Sequence, residues 1–132
     1  MRLLAVVFAL VAGQASAEQP MTAAEFEAYV EGRTLYYSGR NDTSFGIEQY
    51  LPGRRVVWRY LSDDCQYGKW YQNEAGNICF VYEGDPTPKC WSFWEENGAL
   101  AARFVSDPSD FVLYEARQTD DALQCRGPSV GA

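Results

Sequence analysis

The pattern of hydrophobic and polar positions changes character at Gly32. Before this glycine, Phe26, Tyr29 and Val30 recur at the three- and four-residue spacing of one helix face. After it, short segments rich in valine, tyrosine, tryptophan and phenylalanine are separated by glycine, asparagine, aspartate and proline, which is typical of strands joined by turns. The pattern predicts a short N-terminal helix over residues 23–31, followed by a mainly β domain.

Eight of these segments have the composition of β-strands, and their centres lie about 11 residues apart, a spacing typical of all-β sandwiches and barrels. Short links of hairpin composition join them, and such links connect antiparallel neighbours. We therefore predict an antiparallel up-and-down barrel or sandwich of about eight strands. A closed barrel of this size holds side chains or one small ligand in its interior. The predicted strands cover residues 34–38, 45–50, 54–61, 68–72, 77–82, 90–95, 99–105 and 111–116.

Two of the predicted strands, 77–82 and 90–95, are apolar on both faces. Either another part of the chain covers their outer face, for example the helix over 23–31, or they present an aromatic patch to solvent. If Trp91 faces the interior, the alternation of side chains along a strand turns Trp94 outward. Trp94 is therefore the tryptophan that we expect to be exposed.

The beginning of the sequence has the pattern of a signal peptide. A positively charged start and the apolar run 3–12, too short for a permanent membrane span, precede a small-x-small cleavage site at 15–17. No later segment of the sequence is long and apolar enough to cross a bilayer as a helix. We expect residues 1–17 to be removed, leaving one soluble β domain over 18–132 that is periplasmic or secreted. Residues 124–132 are predicted to form a flexible tail.

The sequence contains four cysteines, Cys65, Cys79, Cys90 and Cys125. An even number behind a signal peptide indicates two disulfides, and four cysteines allow three pairings. If the hairpin between the middle two is centred near residues 84–85, Cys79 lies directly opposite Cys90 and is close enough to form a bridge. Cys65 then pairs with Cys125. The alternative is a zinc site, but the sequence has no C-x-x-C pair and no histidine, so we expect no metal.

Composition excludes several kinds of chemistry. The 132 residues include no histidine, which removes Ser-His and Cys-His nucleophiles and histidine metal ligands. The formal net charge of −7 argues against binding to a phosphate backbone, so no nucleic-acid partner is expected. The acidic pairs at 63–64 and 95–96 have turn composition, and neither supplies the two facing carboxylates of a glycosidase. We predict no catalytic residue and no cofactor, and we do not expect an enzyme.

The candidate binding residues are aromatic and basic. All four tryptophans lie in the middle of the chain, and their ring faces can stack on sugars or flat ligands, although such rings more often fill a core. Two adjacent arginines could bind a carboxylate or phosphate, although such pairs more often lie on a solvated strand face. The candidates are Trp58, Trp70, Trp91, Trp94, Arg54 and Arg55.

Several segments of the chain resemble a family of small exported proteobacterial proteins that carry a domain of unknown function. The resemblance covers most of the chain after residue 17. It implies export, one compact domain and strands that bear cysteines, and it brings no activity and no catalytic residue. The matching segments are GRTL at 32–35, QYLPGRRVVW at 49–58, GKWY at 68–71, ICFVYE at 78–83 and CWSF at 90–93.

These observations favour a non-catalytic exported domain that binds a small molecule or a glycan inside an aromatic barrel. The first alternative is an acidic protein-binding module, for example an inhibitor of a basic cell-wall hydrolase, because its charge would steer it towards a cationic envelope protein. The second alternative is a carboxylate-based hydrolase. In each case we expect a monomer without a transmembrane segment.

Overall fold

The computed structural model describes residues 19–61, 64–106 and 111–126. Over these residues the chain forms one α-helix, one short 3-10 helix and eight β-strands. The helix α1 spans Ala23–Val30, and the 3-10 helix spans Arg40–Asp42. The strands are β1 Thr34–Ser38, β2 Ser44–Leu51, β3 Arg55–Tyr60, β4 Gln66–Gln72, β5 Ile78–Tyr82, β6 Asp85–Glu96, β7 Ala99–Phe104 and β8 Val112–Thr119.

The eight strands form a closed antiparallel barrel. Each strand pairs with the next one along the chain, and β8 pairs with β1, where Thr119 lies opposite Thr34. Successive side chains turn to opposite sides of the sheet. In β3, Val56 and Trp58 pack in the interior cluster, whereas Val57 packs in a separate cluster on the outer face. The predicted eight-stranded up-and-down fold is confirmed, and it is the barrel rather than the sandwich.

The helix α1 closes one end of this barrel. It begins with a capping box at Thr22, which satisfies backbone N–H groups of its first turn. Phe26 and Val30 are buried and belong to the interior cluster. The helix therefore does not cover the outer faces of β5 and β6, and our suggestion that it provides this cover is wrong. The Phe26 ring contacts four interior rings, those of Tyr50, Trp70, Phe80 and Phe93.

A smaller apolar cluster lies on the outer face of the barrel, formed by Ile47, Val57 and Leu123. Leu123 belongs to the segment that follows β8, and its backbone N–H donates a hydrogen bond to the Gln49 side chain at 3.1 Å. The Cys65–Cys125 disulfide packs against the same cluster. The C-terminal segment thus covers apolar side chains on the outer face of β2 and β3.

Both predicted disulfides are present. Cys79 and Cys90 lie opposite each other in β5 and β6, with their Cα atoms 4.0 Å apart. Cys65 and Cys125 join the residue before β4 to the C-terminal segment, with their Cα atoms 5.5 Å apart. No cysteine is left as a thiolate that could bind zinc.

Some predictions concern residues outside the described ranges. These residues are the signal peptide over 1–17, Asp63 of one acidic pair, and 127–132 of the tail. Within the described ranges, no helix is long and apolar enough to cross a membrane. No three histidine, cysteine, aspartate or glutamate side chains among the described residues form a group that could hold a metal ion.

Candidate functional site

The barrel interior contains a cavity of about 200 Å³ at the end away from α1. On β2, Tyr50 contacts Phe26 of the helix and lines the cavity, and Phe45 lines the cavity from the other end of the strand. Phe80 and Phe93 contact Phe26 and also line the cavity. The core packed beneath α1 therefore forms the floor of a pocket in the opposite half of the barrel.

The lining of this pocket is mostly aromatic with a few polar groups, which is typical of sites for small molecules. Three side chains on the lining carry a charge or an amide: Glu48, Gln66 and Lys89. The amine of Lys89 is held by the Asp85 carboxylate at 2.6 Å. The aromatic residues of the lining include Phe45, Trp58, Tyr60, Trp91, Phe104 and Phe111.

The four candidate tryptophans divide into three environments. Trp58 and Trp91 both line the cavity. Trp70 lies at the helix end of the barrel, in edge contact with Phe26. Trp94 lies on the outer face of β6, where it packs with residues of β7 and β8 and is only 5% exposed. The prediction that Trp94 is an exposed aromatic is wrong, because neighbouring strands bury the ring on the outer face.

The candidate arginines lie outside the cavity. The Arg54 guanidinium forms an ion pair with Glu27 of α1 at 2.9 Å and lies 4.5 Å from the centre of the Trp70 ring. Arg55 is exposed, and its Nε donates a hydrogen bond to the Pro52 carbonyl at 3.1 Å. Arg54 therefore ties the helix to the barrel, Arg55 supports the β2–β3 turn, and neither contributes to the pocket.

Two glycines on the inner face make room for large rings. A Cβ atom at Gly46 would overlap the Trp58 ring. A Cβ atom at Gly68 would overlap the Val81 carbonyl oxygen and lie 2.8 Å from the ring of Tyr82. Real Cβ atoms do not approach other atoms this closely, so a larger residue would displace the Trp58 ring at the first position, and the β5 backbone and the Tyr82 ring at the second. Gly46 and Gly68 thus allow the close approach of Trp58 and of β5 inside a barrel that is crowded with aromatics.

A buried carboxylic acid faces the same cavity. Glu48 is 2% exposed and lies on the inner face of β2, opposite Trp58 of β3. The Tyr82 hydroxyl donates a hydrogen bond to its carboxylate, with O–O distances of 3.0 and 3.2 Å to the two carboxylate oxygens. Burying a carboxylate is costly unless it is paired or protonated. The sequence pattern did not single out this residue.

Burial raises the pKa of Glu48 well above its usual range, and the hydrogen bond from Tyr82 opposes this shift. Burial also raises the pKa of Tyr37, Tyr50 and Tyr82 above the usual tyrosine value. The hydroxyls of Tyr37 and Tyr50 lie 2.7 Å apart and form a hydrogen bond. Glu48 thus keeps its proton to a higher pH than a solvated glutamate does, and the hydroxyls of these three tyrosines stay uncharged.

Hydrolysis by two carboxylates finds no support in this geometry. Among the described residues that line the cavity, Glu48 is the one carboxylic acid. A glycosidase needs a second carboxyl group across the cleft to serve as base or nucleophile. The described lining therefore lacks the pair of carboxyl groups that this reaction needs.

Comparison of the chain with protein-family models, with curated proteins and with solved structures gave no match. Its function must therefore be inferred from the residues of the barrel itself.

The pH dependence of stability provides a test of the buried acid. Replacing Glu48 with glutamine should make the barrel more stable than the wild type by an amount that grows as the pH rises above about 4.5. Above this pH the unfolded chain loses its Glu48 proton while the folded chain retains it, so the wild type loses stability relative to the variant. The limiting slope is about 1.4 kcal/mol per pH unit.

Urea unfolding of both proteins between about pH 5 and pH 8 measures this difference. The matched control is Glu74→Gln, in an exposed turn, which removes a carboxyl group without a buried environment. Its free energy of unfolding should stay within about 0.5 kcal/mol of the wild type throughout. A pH-independent difference between Glu48→Gln and the wild type would show that Glu48 ionises like a solvated residue.

Proposed function

We propose that this protein binds a small molecule with one or two rings inside the barrel cavity. The observation that carries the proposal is a cavity of about 200 Å³ in which aromatic rings surround one buried carboxyl group. An engineered protein cavity of roughly 150 Å³ is large enough for benzene. The size therefore suits a single or fused ring, and Trp58 and Trp91 supply ring surface for stacking.

A glycan is the less suitable ligand. The cavity is too small for more than one sugar ring, and the hydroxyls of a sugar would need hydrogen-bond partners that a mostly aromatic wall does not offer. A compact ring with one polar or charged group matches the single Glu48 carboxyl better.

The protein-binding alternative has weaker support. It is based on the acidic charge of the chain, and an exposed aromatic patch around Trp94 would have favoured it, but that ring is buried. The outward tyrosines Tyr67 and Tyr71 of β4 are exposed, but nothing about them indicates a basic hydrolase as partner. We therefore place the binding activity inside the barrel.

We further infer that the protein acts in an oxidising compartment outside the cytoplasm. Its two disulfides are typical of exported proteins, and they support the predicted signal peptide over 1–17. A periplasmic or secreted binding protein without catalytic activity is the function that these features support together.

Indole is a suitable probe, because it is a fused-ring molecule of the size that the cavity suggests. We expect isothermal titration calorimetry to show one site with a Kd at or below about 1 mM, equivalent to about −4 kcal/mol. Ala102 lines the cavity and is buried, so Ala102→Leu should fill part of the space and weaken indole binding at least about tenfold.

The matched control is Ala24→Leu, the same substitution at an exposed position of α1. It should bind indole like the wild type, and urea unfolding should show that both variants are folded. Indole binding that Ala102→Leu leaves unchanged would place the ligand outside the barrel. Absence of indole binding by the wild type would argue against a ring-binding cavity.

A further inference from the structure

The Glu48 carboxyl group has unused capacity for hydrogen bonds. An ionised carboxylate offers about four acceptor positions. Among the described residues, the Tyr82 hydroxyl is its one hydrogen-bond donor. Glu48 also lines the cavity, so its carboxyl group is within the part of the barrel that a bound molecule would occupy. The position therefore favours a ligand that donates hydrogen bonds.

None of the described basic residues pairs with Glu48 when its carboxyl group is ionised. Lys89 is the one described basic residue on the cavity lining, and its amine is 2.6 Å from the Asp85 carboxylate. The described arginines are absent from the lining. An ionised Glu48 would therefore need a positive charge from the cavity's occupant.

The aromatic lining is compatible with such a charge. Phe45, Trp58 and Tyr60 contact one another, and the planes of Phe45 and Trp58 are each nearly perpendicular to that of Tyr60. The faces of aromatic rings attract an ammonium group within about 6 Å, and this attraction is strongest where water is excluded. A ring-bearing amine can thus be stabilised by Glu48 and by the surrounding rings at once.

We propose that the cavity selects a small organic ammonium ion, an aliphatic amine attached through carbon to a single aromatic ring, whose charged nitrogen lies against the Glu48 carboxylate. This inference rests on the proposed function, because it names the class of molecule that the cavity takes. The nitrogen would share the carboxylate with the Tyr82 hydroxyl, and the ring would occupy the space among the aromatic side chains.

Binding of this cation should release a proton. In the empty barrel, burial keeps Glu48 protonated to higher pH, whereas the ammonium ion requires the carboxylate. The proton leaves to solvent as the amine enters, so the total charge of the cavity is unchanged. The other titratable groups on the lining are four tyrosine hydroxyls and the amine of Lys89, which is paired with Asp85. They are Tyr37 from β1, Tyr50 from β2, Tyr60 from β3, Tyr82 from β5 and Lys89 from β6.

Benzylamine and benzyl alcohol are matched probes, since they differ only in the ammonium or hydroxyl group. By calorimetry, the wild type should bind benzylamine at least about tenfold more tightly than benzyl alcohol, the ratio expected of one charge-assisted hydrogen bond. Glu48→Gln should reduce this preference to about threefold or less. The control variant Glu74→Gln should keep the wild-type preference.

Proton release is a second readout that needs no variant. Titrations of the wild type with benzylamine in two buffers of different ionisation enthalpy should show release of up to about one proton per amine, and benzyl alcohol should show none. Similar affinities for the two probes, in the wild type and in Glu48→Gln alike, would overturn the ammonium inference and leave the ring-binding cavity standing. Failure of indole, benzylamine and benzyl alcohol to bind would contradict the proposed function itself.

Discussion

Replacing Phe26 with alanine should lower the free energy of unfolding by about 3–5 kcal/mol. Phe26 is fully buried, and it is the side chain through which α1 contacts the rings at the helix end of the barrel. The substitution removes the free energy gained by burying a whole ring, and it leaves a cavity between the helix and the rings at the helix end of the barrel. A helix of eight residues has little stability of its own, so its position depends on this docking.

Urea unfolding measures the loss, and two variants separate its causes. Phe26→Leu keeps an apolar side chain and should cost less than about 1.5 kcal/mol. Ala24→Gly, at an exposed position of the same helix, tests helix propensity alone and should cost about 1 kcal/mol. If Phe26→Ala were no more destabilising than Ala24→Gly, the helix would not be an essential closure of the barrel.

The topology could be predicted from the sequence because its signals are local. Short links force neighbouring strands to be antiparallel, and the position of the β5–β6 turn brings Cys79 opposite Cys90. The start of β6 was less predictable, because prolines are rare inside strands and the predicted strand begins only at residue 90, after Pro86 and Pro88. The strand nevertheless begins at Asp85, because these prolines lie where the β5–β6 register shifts and no residue of β5 is paired with them.

Burial on the outer face of the barrel could not be predicted from alternation. Alternation does turn Trp94 outward, but the ring is buried because it packs with Ala101 and Val112 of neighbouring strands. The Arg103 guanidinium also lies 5.7 Å from the centre of the Trp94 ring. These contacts depend on strand order around a closed barrel, which no single segment of the sequence contains.

Glu48 was missed for a related reason. It lies between Ile47 and Gln49. The apolar Ile47 suggests that the side of β2 that bears Ile47 faces the core, which would turn Glu48 outward. In the structure, Ile47 faces outward beneath Leu123, and Glu48 faces the interior. The available signal was the pairing of β2 with β3, which places Glu48 opposite the inward-facing Trp58. The inward position of Glu48, the key residue of the candidate site, could thus not be recognised from β2 alone, because the C-terminal segment covers Ile47 on the outer face.

Removing the Cys65–Cys125 disulfide, which holds the C-terminal segment, should have the other large effect on stability. The double variant Cys65→Ser, Cys125→Ser should lose roughly 4 kcal/mol, because the bridge closes a loop with a sequence separation of 60. The entropy of loop closure predicts roughly 3 kcal/mol for Cys79→Ser, Cys90→Ser, whose separation is 11. Each double variant leaves the other bridge intact, so each is the control for the other.

Hydrogen exchange can distinguish the local consequences of the two changes. Without the Cys65–Cys125 bridge, the Leu123 amide should exchange faster, since its bond to Gln49 is held in place by a segment anchored at Cys125. Loss of the Cys79–Cys90 bridge should leave that amide protected while the folded state persists.

If the shorter bridge contributed more to stability, the entropy of the unfolded chain would not be the main source of the stabilisation. If Leu123 stayed protected without its bridge, packing against Ile47 and Val57 would be sufficient to hold the C-terminal segment over β2 and β3.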